Sequence, residues 1–312
     1  MTAEAFNREY FPKRYDNYRD LGLEKLDRQP RLTYDDEEQM IAREHIFEDF
    51  REACIQWRPG KEAEDACGEL WMEVARYLCT QYPQRFRERK EKGTRKLLDH
   101  DTGEIYPLEG PFGWLTLDTI TRLVREDFCI FKKSPFSAQH TLLAGAVCFP
   151  SGWRLRSRVG LSVDSQQEAV LSWESELLPE ILAYMDENGD SDTYERNVTF
   201  VQTVRQEEPD FTKKYFIQEC KDFFSGNVGT LFQPKTLHGR FERQMFTKLS
   251  KTGAIVLTTR VQVHPLAEIE EADLVAFAED VRSWPAHVAR LKGRDLWGSV
   301  VLNYIDEVTG RV

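Results

Sequence analysis

Residues 254–266 read AIVLTTRVQVHPL, and no other segment restricts the fold so strongly. The run alternates as a strand does and is the clearest strand of the chain. Arg260 follows its buried-looking half, so that charge must find a partner at the end of a sheet. CIFKKS (129–134), HTLLAGAVCF (140–149) and RNVTFVQT (196–203) read as further strands. Short turns separate them instead of regular helical crossovers. That pattern predicts a mainly antiparallel central sheet in an α+β domain.

Helices are expected around the sheet. Met40, Ile41, Ile46, Phe47 and Phe50 recur at helical spacing within 35–56. A second helix spans 63–82 and stops at Pro83. Further helices are expected over 115–128, 171–185 and, as a short one, 240–249; two more in 270–305 flank a break at Ser283–Pro285. Residues 87–98 read as a charged connector, HDTGEIYPL (100–108) as a hairpin turn, and 205–235 as an irregular insertion or cap. One domain over 1–312 is predicted: an extended arm (1–34), a helical part (35–98), a mixed sheet core (99–266) and C-terminal helices (267–312).

The chain is long enough for a sizeable core, and its 41% hydrophobic and 12% aromatic content is that of a globular protein. A formal net charge of −11 argues against a nucleic-acid surface or a polybasic membrane patch as the main activity. No apolar run reaches bilayer length and MTAEAFNREYFPKRY has no apolar leader core, so a cytoplasmic protein is expected. The six cysteines form no C-x-x-C pair and read as reduced thiols. Asn197-Val198-Thr199 is a glycosylation sequon, idle without an export route.

Nicotinamide, flavin and nucleotide signatures are missing, as are H-E-x-x-H and G-x-S-x-G. Redox chemistry would therefore draw its electrons from elsewhere. The six histidines stand singly, as structural histidines do. Three segments stand out: LLAGAVCFPSGWR, with its Pro150-Ser151-Gly152 turn and Trp153; RFERQ (240–244); and TGAIVLTTR (252–260). On a helix, Arg240 and Arg243 would lie on adjacent turns and could grip a carboxylate or phosphate; an ordinary salt-bridged helix face is the plain alternative. The expectation is that Arg240, Arg243 and Arg260 face one cavity.

These segments carry a resemblance. GLEKLD (22–27), REDFCIF (125–131), AGAVCFPSGWRL (144–155), RFERQ and SKTGAIVLTTRVQVHPL (250–266) stand in order over most of the chain. Together they resemble the haem-dependent oxidative N-demethylase family in its alpha-subunit-like branch. The resemblance implies a PAS-like α+β fold holding haem b. It also implies oxidation of a small amine by activated dioxygen, with electrons from a separate reductase. It implies, further, a proximal histidine in an Ile-His-x-Pro-Val-Pro stretch after the CFPSGW block. Here the matching stretch is SQQEAV, which places Gln167 where that histidine stands. Glutamine is a poor iron ligand beside imidazole.

Two readings follow. In one, haem chemistry persists and His140 or His264 ligates iron, with Cys148 a weaker candidate and Arg240, Arg243, Arg260 and Trp153 lining the cofactor. In the other, haem is gone and the arginines hold an anionic small molecule, in a non-redox enzyme or a binding module. A purely structural scaffold is the third possibility.

Overall fold

The computed structural model describes residues 22–26, 32, 37–137, 139–163, 172–188, 192–204, 210–219, 222–223 and 236–311. The AIVLTTRVQVHPL strand, β10 (Ile255–Pro265), lies in the middle of a seven-stranded sheet. Its neighbours are β6 (Asp127–Lys133) and β9 (Leu237–Lys248). Beyond β6 come β7 (His140–Ala146) and β2 (Ile55–Trp57); beyond β9 come β8 (Thr193–Thr203) and β1 (Glu24–Leu26). Every pairing is antiparallel. The β6–β7 hairpin, a helical connection and the strands β8, β9 and β10 give the expected α+β architecture with an antiparallel central sheet.

Period-2 alternation divides the strand residues between two faces. On one, Ile55, Phe128, Ile130, Ala144, Ala146 and Val256 join the core built with α1 (Glu37–Cys54), α2 (Lys61–Gln81) and α3 (Trp114–Leu123). On the same face, Val201, Leu237 and Phe241 pack against α6 (Glu271–Ser283), α7 (Ala286–Leu291) and α8 (Arg294–Val308). This first face is therefore covered from both sides. The second face sends Cys129, Phe131, Leu142, Tyr194, Phe246, Ile255 and Leu257 against α4 (Ser172–Asn188). Each such buried side chain contributes about 1.5–3 kcal/mol. Gly145 makes the close packing possible, because a Cβ there would lie 2.8 Å from Leu155 Cδ1 and 3.1 Å from the Phe128 carbonyl oxygen.

A smaller sheet, β3 (Phe86–Glu91), β4 (Thr94–Asp99) and β5 (Ile105–Pro107), extends from the body near α2. The charged connector expected over 87–98, inside the part expected to be helical, is thus a hairpin. Lys92 (φ 49°) and Gly93 (φ 90°) form its two-residue turn, and positive φ at both positions matches the twist of the flanking strands.

Two further expectations need correction. The third helix stops at Leu123, because β6 starts at Asp127. The helix expected over 240–249 is not formed: residues 240–248 belong to β9, since pairing on both sides with β8 and β10 outweighs local helix preference. Of the N-terminal arm, only 22–26 and 32 are described: β1 pairs with the end of β8, and Leu32 is buried in the core. Of 205–235, the described part contains the short α5 (Phe211–Tyr215).

Candidate functional site

Because RFERQ is a strand, its side chains alternate between faces. Arg240, Glu242 and Gln244 point to the α4 side of the sheet, whereas Arg243 points to the opposite side. Arg240 is fully buried. Its Nη2 donates to the carbonyls of Phe149 (2.7 Å) and Pro150 (3.3 Å), and its Nε to Ser151 Oγ and Glu242 Oε1 (both 3.1 Å). Ser151 also donates to Glu242, and Gln244 Nε2 donates to the other Glu242 oxygen at 3.2 Å.

That network holds one side of the CFPSGW turn; Asp127 holds the other. Its carboxylate accepts the amides of Cys148 (2.9 Å) and Phe149 (2.8 Å) and pairs with Arg43 at 2.8 Å. Arg43 stands 5.1 Å from the Phe149 ring, which stacks on Tyr215 at 4.5 Å. Gly152 (φ 83°) closes the turn, its amide donating to the Ile217 carbonyl at 2.7 Å. A buried charge is tolerated only when paired and hydrogen-bonded, and both ions at this turn are.

The opposite face carries a second polar group. Arg243 and Arg260 are direct register partners, and Asn197 pairs with Arg243 on its other side. Arg243 Nε donates to Glu195 at 2.6 Å, and Arg260 lies 3.9 Å from Glu126, itself fully buried. Gln262 and half-buried His264 continue the row along β10. The Gln262 side chain is 1% exposed, yet neither amide atom has a hydrogen-bond partner among the described residues; Thr199 Oγ1, in the same cross-strand row beyond Phe241, is likewise buried without one there. The three arginines therefore do not face one cavity: Arg243, Arg260 and His264 share a face, and Arg240 lies on the other.

The remaining sequence candidates are dispersed. His140 begins β7, buried, with Nε2 3.0 Å from Asp186 Oδ2 of α4; Lys133 reaches the same oxygen at 3.1 Å. Its partner Lys133 is six residues along β6 from Asp127, about 20 Å away at strand rise. Trp153 is half-buried among the α4-side apolar residues, with the Arg158 guanidinium 4.4 Å from its ring. Cys148 is a buried core thiol. Gln167 lies outside the described residues. Among those residues no group of three or more His, Cys, Asp or Glu side chains could hold a metal, and no helix is long and apolar enough to cross a membrane.

Sequence reasoning missed Glu242, Ser151, Glu195, Thr199 and Gln262. One signal was present: in β10 the polar residues Arg260, Gln262 and His264 fall at every second position, marking one polar stripe. Two titrations stand out nearby. Burial pushes His238 down to about 4, so its imidazole is neutral at physiological pH. Burial likewise pushes Lys292 down to about 8, against the pull of Asp280. Its ammonium donates to the Thr199 carbonyl at 2.9 Å and lies 4.3 Å from the Trp284 ring.

Comparison with known proteins gives one family. Residues 22–302 match the family described as haem-dependent oxidative N-demethylase, alpha subunit-like. No curated protein matches the chain.

Proposed function

This chain belongs to the haem-dependent oxidative N-demethylase, alpha subunit-like family, and on that premise we propose that it is a haem-dependent, oxygenase-type oxidoreductase acting on a small amine, with electrons from a separate reductase. The observation that carries the placement of its site is the orphaned Gln262 amide beside two buried arginines. A buried polar group without a partner costs about 1–3 kcal/mol. A ligand on this face that hydrogen-bonds Gln262 and Thr199 offsets that cost.

On this reading the polar stripe of this face would hold the haem. Arg260, with Arg243, suits the propionates, since guanidinium forks match carboxylates. His264 stands four residues beyond Arg260, about 13 Å along the strand and on the same face, and so suits iron better than His140, which begins β7 away from the arginines. When bound, haem supplies the activation of dioxygen. Glu195 holds Arg243 in place, and the Gln262 amide, with donor and acceptor both open, orients a polar substrate group. Arg240 and Trp153 act from the other face by fixing the turn.

The test is an absorption spectrum of protein purified from haem-supplemented cells. A Soret band that His264→Ala removes and His140→Ala leaves supports the assignment; the reverse pattern refutes it. Gln167 in place of the family's histidine favours a second reading, in which the same face binds a small carboxylate without haem. Absence of a Soret band, together with a thermal shift on adding dicarboxylates that Arg260→Met abolishes, would establish that reading instead.

A further inference from the structure

The β3–β4 hairpin carries charge out of keeping with the rest of the chain. Positions 85–96 hold seven basic and two acidic residues, a net +5 on a protein of −11, which leaves −16 on everything else. Both acids are engaged within the hairpin: Glu88 accepts from Arg95 at 2.6 and 3.0 Å, and Glu91 from Lys96 at 3.0 Å. Arg85 is occupied by Asp99 (2.6 Å) and Asp101 (2.9 Å). Arg87, Arg89, Lys90 and Lys92 are exposed and make no ion pair among the described residues.

The register sharpens the point. Arg89 stands directly opposite Lys96, and Lys90 directly opposite Arg95, so two successive cross-strand pairs join like charges. Such pairs are destabilising, and alternation of sign would relieve both. Protection of β3 as an edge strand explains why charge is there, but a mixture of signs would protect it equally. Edge protection therefore does not account for an excess of one sign that the hairpin bears at a cost. The positive-φ turn at Lys92 and Gly93 fixes the register of the ribbon, and with it which cations share a face. On one face of this small sheet Arg87, half-exposed Leu98 and 50% exposed Ile105 lie in a single row, which sets an apolar contact beside the cations.

We infer that the β3–β4 hairpin, with Ile105 beside it, docks an acidic surface of a partner protein. The complementarity is local: Arg87 and Arg89 lie on the face of Leu98 and Ile105, Lys90 and Lys92 carry the positive charge on to the other face and the turn, and a protein rim of carboxylates around an apolar centre matches the first face. A long polyanion or an anionic membrane would also meet the −16 on the remaining surface and be repelled by it. The partner needs only to present carboxylates to the hairpin, whatever the chemistry at the large sheet.

The experiment uses the full-length protein and a fluorescein-labelled glutamate-rich peptide, with single-stranded DNA of equal charge as the comparison. Binding is read by fluorescence anisotropy at about 50 and 200 mM salt. The peptide is expected to bind, to weaken with salt, and to lose about tenfold or more in affinity to the Arg87→Glu/Arg89→Glu/Lys90→Glu variant. Lys251→Glu, which reverses an exposed cation on the β9–β10 turn, is expected to bind as the parent does. Unchanged melting temperatures establish that both variants are folded; if the triple variant does not fold, the same loss is sought in Lys90→Glu alone. Failure of the peptide to bind, an equal loss in Lys251→Glu, or tighter binding of DNA than of the peptide would overturn the inference.

Discussion

Replacing Arg240 by Met distinguishes a structural arginine from a ligand-binding one. The side chain is fully buried and makes four contacts, two of them to the carbonyls of Phe149 and Pro150. Its removal leaves Glu242, 2% exposed, with only Ser151 and Gln244 as donors among the described residues. Stranding one member of a buried ion pair costs about 3–5 kcal/mol. A domain stable by about 5–15 kcal/mol survives that loss but is visibly weakened. Glu242→Met should cost a similar amount, since it strands the guanidinium. The double variant Arg240→Met/Glu242→Met removes both charges together and should cost well under the sum of the singles, with a coupling of about 2 kcal/mol or more. Urea unfolding with linear extrapolation measures all three. Additive losses, or an Arg240→Met loss below about 1 kcal/mol, would refute the reading of this pair as mutually dependent buried ions.

Three other outcomes follow from the packing and the titrations. Gly145→Ala should cost about 1–3 kcal/mol in urea unfolding, because the new methyl meets Leu155 and the rigid backbone of Phe128; a neutral result would show that Leu155 moves freely. His140→Ala should lower stability by about 1–3 kcal/mol through the emptied buried position and the lost contact with Asp186, which keeps Lys133, while leaving ligand uptake at the arginine face unchanged; lost uptake would restore His140 to the site. Lys292 is held down to about 8 from an ordinary value of 10.5, so between these pH values the unfolded chain binds the proton that the folded one has released. Its contribution to stability therefore rises with pH across that window. The parent should gain stability relative to Lys292→Met from pH 7.5 to pH 10, and a flat difference would contradict it.

The long strand and the first two helices were legible because their patterns are uninterrupted. β10 carries eleven residues of strand character, and α2 ends at a clear break before Pro83; α1 stops two residues short of its expected end at 56, where Ile55–Trp57 pairs with β7 instead. β9 was not legible: RFERQMF places two arginines three apart, a spacing that suits either structure. What decides it is pairing with strands distant in sequence on both sides, which no local window contains. The error carried through to the site, because a helix puts Arg240 and Arg243 together and a strand puts them apart. The hairpin at 86–99 was hidden for a different reason. Its solvent face is so charged that the alternation is visible only at Phe86 and Leu97, and Lys-Gly is a less common turn than Asn-Gly. Arg260 was legible as a buried charge at the end of an apolar run. Its neighbour Gln262 was not, since a missing partner is a property of the folded molecule alone.

The CFPSGW turn has a consequence for folding order. Asp127 belongs to β6 and Arg240 to β9, and between those two strands runs β10. The turn spans this middle strand and is fastened on both sides, to segments 21 and about 90 residues away in sequence. Closing loops of such length is slow relative to forming local contacts. The turn can acquire its full set of hydrogen bonds only after β9 and β10 have joined β6. Its amides therefore divide in time: those of Cys148 and Phe149, held by Asp127 of the same hairpin, gain protection from hydrogen exchange early, whereas that of Gly152, whose acceptor is the distant Ile217 carbonyl, gains it late and reports assembly of the whole turn.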